Sequence, residues 1–259
     1  MLASRIIPII LCRGRQMVKG SAFRSWRSVG LAMQAARVHS LRGVDELILL
    51  DIGATPEGRG PDISLVEELS EKCFMPLTVG GGIKGVDDVA KLLRAGADKV
   101  AINTTALRSQ ETVYEITSRF GSQAVVASID YKDDCVYTHC GQEQLTVTLD
   151  DGFKQRVHPL HAAKVMQHLG AGELLLTDIT REGMMDGYDL FTLAHVSDEL
   201  NIPVIANGGC GSPSDMLKAI ECGASACAAG AMFQFTDTTP LDCAEYLKQH
   251  GVEVRIEAR

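Results

Sequence analysis

The 259-residue chain has no apolar run approaching the roughly 18 residues that a membrane span requires. A strand-like stretch follows directly on Met1-Leu2-Ala3-Ser4, so no leader segment is read there and the chain is expected to be soluble and cytoplasmic. The clustered Lys and Arg that a nucleic-acid surface needs are not found either. The formal net charge is −8 and the pI near 5.4, which disfavours a nucleic-acid surface. A small anion remains compatible, because backbone dipoles can hold one. None of the eight cysteines forms a Cys-x-x-Cys pair, and several fall in apolar segments, so buried free thiols are expected rather than disulfides. His158, His161 and His168 share parts of one helical pattern without the Glu of a zinc helix, and no metal or cofactor is expected. No linker or low-complexity segment breaks residues 1–259, which read as one domain.

What the chain has is alternation. Eight runs rich in Ile, Val and Leu begin near Arg5, Glu46, Pro76, Asp98, Ala124, Gly172, Ile202 and Ser225. They are apolar almost throughout, as strands of a parallel sheet buried on both faces are. Amphipathic stretches separate them: Gly30 to Leu41, Ile63 to Glu71, Val86 to Ala95, Gln110 to Phe120, Pro159 to Leu169, Tyr188 to Leu200, Pro213 to Glu221 and Cys243 to His250. Strand and helix repeated eight times predict an α/β fold, a single (β/α)8 TIM barrel. Asp51 and Asp178, Gly81-Gly82 and Gly208-Gly209, and Gly96-Ala97 and Gly223-Ala224 all stand 127 positions apart, which predicts internal duplication of a half-barrel. The long departure is Tyr131 to His158, where Cys135 to His139 and Gln144 to Thr148 read as a small hairpin around Gly141.

In such a barrel the loops after the strands' carboxyl ends form the active face. Thr78 to Ile83 runs a strand into three glycines, and Ile205 to Cys210 repeats the pattern. Glycines there either permit tight turns or bare backbone N–H groups to an anion. Two candidate phosphate cradles follow: Gly81, Gly82, Asn103 and Thr104, and Gly208, Gly209, Ala229 and Gly230. Together they would clamp a substrate phosphorylated at both ends. Asp130 closes the fifth strand and is either a general acid or base or a cap or salt-bridge partner. Lys19, in the first loop, is either a flexible cation folding over a phosphate or a solvated side chain.

Arg5-Ile6-Ile7-Pro8, Val18-Lys19-Gly20, Val44 to Leu47, Thr78 to Ile83, Gly96 to Val100, Ile102-Asn103-Thr104, Phe120 to Gln123, Gly172-Glu173 and Gly187-Tyr188-Asp189 together resemble the cyclase-subunit family of imidazole glycerol phosphate synthase. The resemblance covers nearly the whole chain. It implies a glutaminase partner, ammonia passing through the barrel, and a ribonucleotide held by two phosphates. It also implies an ammonia gate formed by Arg5, Glu46, Lys99 and Glu173, and a partner-interface role for Asp98. Gly183 joins the phosphate-binding positions.

The chain departs from that family where the resemblance implies an aspartate at the end of the first strand: Leu11 stands there. A leucine moves no proton, and neighbouring Cys12 should point to the other face. Glu182-Gly183 replaces an expected Asp-Gly, and Ala231 an expected serine. The first strand Pro8 to Leu11, with Arg59-Gly60-Pro61 and Phe74 to Leu77, is similar to a subgroup found with surface-polysaccharide genes. That subgroup supplies ammonia to a separate sugar amidotransferase, so amidination of a nucleotide-activated sugar is the leading expectation. The alternative is a cyclase (lyase) of histidine biosynthesis. A sugar-phosphate isomerase on a similar barrel is disfavoured, since it too wants the aspartate that Leu11 replaces.

Overall fold

Eight nearly all-apolar runs become eight parallel strands in the computed structural model, which describes residues 3–149 and 153–256. Met1 and Leu2 of the N-terminal stretch and positions 150–152 of the long fifth loop lie outside the described residues. The strands are β1 (Arg5–Arg13), β2 (Leu47–Asp51), β3 (Leu77–Gly80), β4 (Lys99–Ile102), β5 (Val125–Lys132), β6 (Glu173–Asp178), β7 (Val204–Asn207) and β8 (Ala226–Ala229). Each pairs in parallel with the next, and β8 returns to β1 through Arg5 opposite Ala226 and Ile7 opposite Ala228. The sheet is therefore closed, with helices between the strands: a TIM barrel.

Closure divides the core in two. On β1, Ile7, Ile9 and Leu11 enter the bore with Ile48, Ala101, Val126, Leu175, Ile205 and Ala228. Ile6, Ile10 and Cys12 face outward into the larger layer beneath the helices. Both faces of each strand meet apolar atoms, which is why no two-residue polar alternation marks them. Side-chain caps start several helices. Asp62 accepts from Leu65 N (3.0 Å) ahead of Ile63–Lys72, and Thr239 forms a capping box ahead of Pro240–Gln249. That last helix thus begins at Pro240, earlier than Cys243.

The half-barrel recurrence extends through whole elements. Ile63–Lys72 and Leu190–Glu199, β3 and β7, Val86–Arg94 and Pro213–Glu221, β4 and β8, and Thr104–Arg108 and Ala231–Phe235 each start and end 127 positions apart. Hydrogen bonds recur as well: Leu47 N to Pro76 O and Leu174 N to Pro203 O are both 2.9 Å, as are Asp98 N to Leu77 O and Ser225 N to Val204 O.

Two loops differ from the sequence reading. The first βα loop is an antiparallel hairpin, Gln16–Ser21 with Arg24–Leu31, so Gly30 and Leu31 belong to a strand and the helix starts at Ala32. Its two-residue turn places Ala22 and Phe23 at φ 48° and 57°. Left-handed backbone costs about 1–2 kcal/mol per such residue. Hairpin turns of this kind normally carry Asn-Gly, so Ala-Phe gives no turn signal. In the fifth loop Cys135–Thr138 folds back on β5 and pairs Tyr137 with Gln144, as the expected hairpin would, but Thr146–Thr148 pairs with Lys154–Arg156 instead.

Candidate functional site

A cavity opens at the carboxyl ends of the strands, and Leu11, Asp51, Gly81, Gly82, Asn103, Thr104, Asp130, Thr177, Glu182 and Asn207 line it. Leu11 is opposite Leu50 in the β1–β2 register and belongs to the bore's apolar cluster, whereas Cys12 packs outward. The cavity therefore has an apolar wall on its β1–β2 side. Asp130 lies across the bore on β5, buried, with Asn103 Nδ2 donating to its Oδ2 at 3.3 Å and to Ser128 O at 3.0 Å. Burial pushes the Asp130 carboxyl up to about 7; the Thr177 hydroxyl pulls it down and the Glu182 carboxylate pushes it up further. A carboxyl so placed can take and return a proton near neutral pH.

The glycine turns grip backbone on both halves. Gly81 and Gly82 have φ of 108° and 72°, and Gly208 and Gly209 have 90° and 103°. A β-carbon at Gly81 would strike Asp51 O, and one at Gly208 would strike Asp178 O, the same contact 127 positions on. Asp51 and Asp178 brace these loops: Asp51 Oδ1 accepts from Gly53 N (3.0 Å) and Ala54 N (3.1 Å), and Asp178 Oδ1 from Thr180 N (2.8 Å). Asn103 and Gly230 stand at matched positions just before Thr104–Arg108 and Ala231–Phe235.

Lys19 is not solvated. It sits on the hairpin strand Gln16–Ser21, 3% exposed, with its Nζ against Gly230 and making no hydrogen bond among the described residues. Burial lowers its pKa, and Glu182 offsets this in part. An ammonium buried without a hydrogen bond costs free energy that a counter-charge would offset. Gly183 completes this side, since a β-carbon there would collide with Gly20 O. Glu182, singled out from sequence only as a changed loop residue, is buried, and burial raises its pKa.

Side chains from β1, β4 and β6 and from Glu46, just before β2, meet in a ring at the opposite mouth. Arg5 Nη1 reaches Glu46 Oε2 at 2.8 Å and Glu173 Oε1 at 3.1 Å, while Lys99 Nζ reaches Glu46 Oε2 at 3.0 Å and Glu173 Oε1 at 3.1 Å. Thr78 Oγ1 donates to Glu46 Oε1 at 2.7 Å, fixing the more buried carboxylate. Four charges of alternating sign satisfy one another around the axis. Asp98 is exposed at the same end, with Oδ2 accepting from Leu77 N at 2.8 Å. All eight cysteines are free. No helix is long and apolar enough to cross a membrane, among the described residues.

Sequence reasoning passed over three residues that shape the cavity: Phe23, Trp26 and Cys140 roof it from the first and fifth loops. Phe23 and Trp26 lie 6.1 Å apart, and Cys140 Sγ donates to Ile52 O at 3.1 Å. Only the lone apolar rings in a polar loop could have flagged them.

The sequence profile of a family described as "Histidine biosynthesis protein" matches residues 5–239. A Campylobacter jejuni protein provisionally named imidazole glycerol phosphate synthase subunit hisF2 is 42% identical, over 99% of this chain and 100% of its own length. The imidazole glycerol phosphate synthase subunit HisF of Dictyoglomus thermophilum is 41% identical over 99% and 100%, and that of Exiguobacterium sibiricum 38% over 98% and 100%. With a closed barrel, recurring half-barrels and identity of this extent along the full length, the chain belongs to the HisF-like cyclase family of histidine biosynthesis proteins.

Proposed function

We propose that this chain is the synthase subunit of a glutamine amidotransferase of the imidazole glycerol phosphate synthase type, acting in histidine biosynthesis. A glutaminase docks on the face that carries Asp98, ammonia enters through the ring, and a doubly phosphorylated ribonucleotide is held at the other mouth. The observation that supports this most is the pairing of one closed ring, Arg5, Glu46, Lys99 and Glu173, with a buried Asp130 at the far end of the same bore. The relatives named for this synthase support it through their full-length match. Asp130 would shuttle the proton, and Lys19 with Gly230 and the Gly208-Gly209 turn would hold one phosphate. Gly81, Gly82, Asn103 and Thr104 would hold the other.

Leu11 favours a second reading. With an apolar side chain facing Asp130, the barrel would lack one proton-transfer group and would deliver ammonia to a separate sugar amidotransferase. One experiment separates the two: the chain is mixed with its glutaminase, and glutamine hydrolysis and ribonucleotide cyclisation are both followed. Stimulated hydrolysis with rapid cyclisation supports the synthase, and stimulated hydrolysis without it supports the conduit. Absence of any stimulation overturns both. Leu11→Asp is expected to raise a slow cyclisation by about 10²-fold or more.

A further inference from the structure

Residues 1–44 contain no aspartate or glutamate, although the chain as a whole carries a formal charge of −8. Basic side chains therefore gather on the first loop. Arg15 is paired with Glu68 at 2.7 Å, Arg27 lies over the Phe235 ring at 5.3 Å, and Lys19 is buried. Arg13 and Arg24 are exposed and make no ion pair with any described residue. They line a second cavity of about 350 Å³ together with Phe23, Trp26, Cys140 and Gln142. Phe23, Trp26, Ile52 and Cys140 line this roof cavity on one side and the barrel cavity on the other, so one layer of side chains separates the two.

We infer that the roof cavity binds a nucleotide, its phosphate on Arg13 and Arg24 and its base against Phe23 and Trp26. Two guanidiniums without an ion pair among the described residues offer planar, forked donors suited to phosphate oxygens. An acidic protein repels anions at long range, so a local basic patch is what admits one. Phosphate alone would use only the arginines. The aromatic wall adds π-faces on which any base stacks, and the Gln142 amide can meet a base edge as donor and acceptor. The volume is of the size that small-ligand sites have. The turn at Ala22-Phe23 supports the assignment: two consecutive non-glycine residues in left-handed backbone hold Phe23 at the cavity, and such strain concentrates where a ligand is met. This site lies outside the bore, and its occupant stands at the outlet of the barrel.

Trp26 is the only tryptophan and lines both cavities, so its fluorescence reports on either, and the arginine and Lys19 variants tell them apart. The full chain is titrated with adenosine and uridine 5′-monophosphate, and with inorganic phosphate and adenosine singly. Saturable quenching by both nucleotides is expected, weakened about tenfold or more in an Arg13→Gln/Arg24→Gln variant and unchanged in Lys19→Gln. The two arginines are exposed, and circular dichroism verifies that the double variant is folded. Calorimetric titration of Trp26→Phe gives a second measure, in which nucleotide binds more weakly. No quenching at millimolar nucleotide overturns the inference. So does quenching that survives loss of both arginines but fails in Lys19→Gln, which places the nucleotide in the bore. Equal affinity for inorganic phosphate and nucleotide reduces the cavity to a bare anion site and also overturns it.

Discussion

The Lys19 ammonium occupies the space that a β-carbon on Gly230 would need. It is buried there without a hydrogen-bonding partner among the described residues, and burial depresses its pKa. A charge held in this way costs stability unless an anion pairs with it. Lys19→Met keeps the stem's packing and removes the charge, so it is expected to stabilise the empty protein by about 1–3 kcal/mol. Thermal denaturation with and without inorganic phosphate checks this: phosphate should raise the wild-type Tm by more than the variant's. A variant less stable than wild type in the absence of phosphate would show that Lys19 is a structural cation.

The ring at the opposite mouth is uneven. Glu46 is 3% exposed and takes Arg5, Lys99 and Thr78, whereas the Glu173 side chain is 17% exposed and takes only the two cations. Glu46→Ala leaves Arg5 and Lys99 short of their buried counter-charge and should cost about 3–5 kcal/mol. Glu173→Ala should cost clearly less. Urea unfolding of both variants tests the order, and equal losses would mean that burial at Glu46 adds nothing.

Asp130 gives a pH signature. Its folded carboxyl titrates at about 7, against about 3.9 in an unfolded chain. Between those values the folded state keeps a proton that the unfolded chain releases. The linked stability is complete at acid pH and is lost as pH rises through that window, by up to about 1.4 kcal/mol per pH unit. Asp130→Asn has no such proton, so its stability should fall less between about pH 4 and 7. Parallel pH profiles for the two proteins would contradict the burial argument.

How much of this was legible in advance follows from which forces are local. Strands buried on both faces announce themselves as apolar runs, and helices such as Gln110–Phe120 and Pro213–Glu221 read out to their ends because a cap or a proline starts them. The glycine turns and the constant spacing between halves also lie in the linear text. Lys19 could not be placed that way. Its burial depends on a hairpin whose turn, Ala22-Phe23, carries none of the residues that normally signal one. The ring depends on contacts between positions as far apart as Arg5 and Glu173, and only resemblance to a family pointed to it. Asp130 was visible as a carboxylate closing a strand. Its neighbour Glu182 was not, because a loop residue's burial is set by what folds over it.

The recurrence of one half-barrel in the other bears on direction. A mould with perfect twofold symmetry would accept a guest bearing like groups at both ends in either sense. Here the backbone grips repeat while the side chains beside them do not: Leu50 is the counterpart of Thr177, Gly80 of Asn207, and Thr104 of Ala231. The matched positions thus differ in polarity between the halves, with Asn207 Nδ2 on Thr177 Oγ1 at 3.1 Å in one of them. A two-headed guest bound there would meet different groups at its two ends.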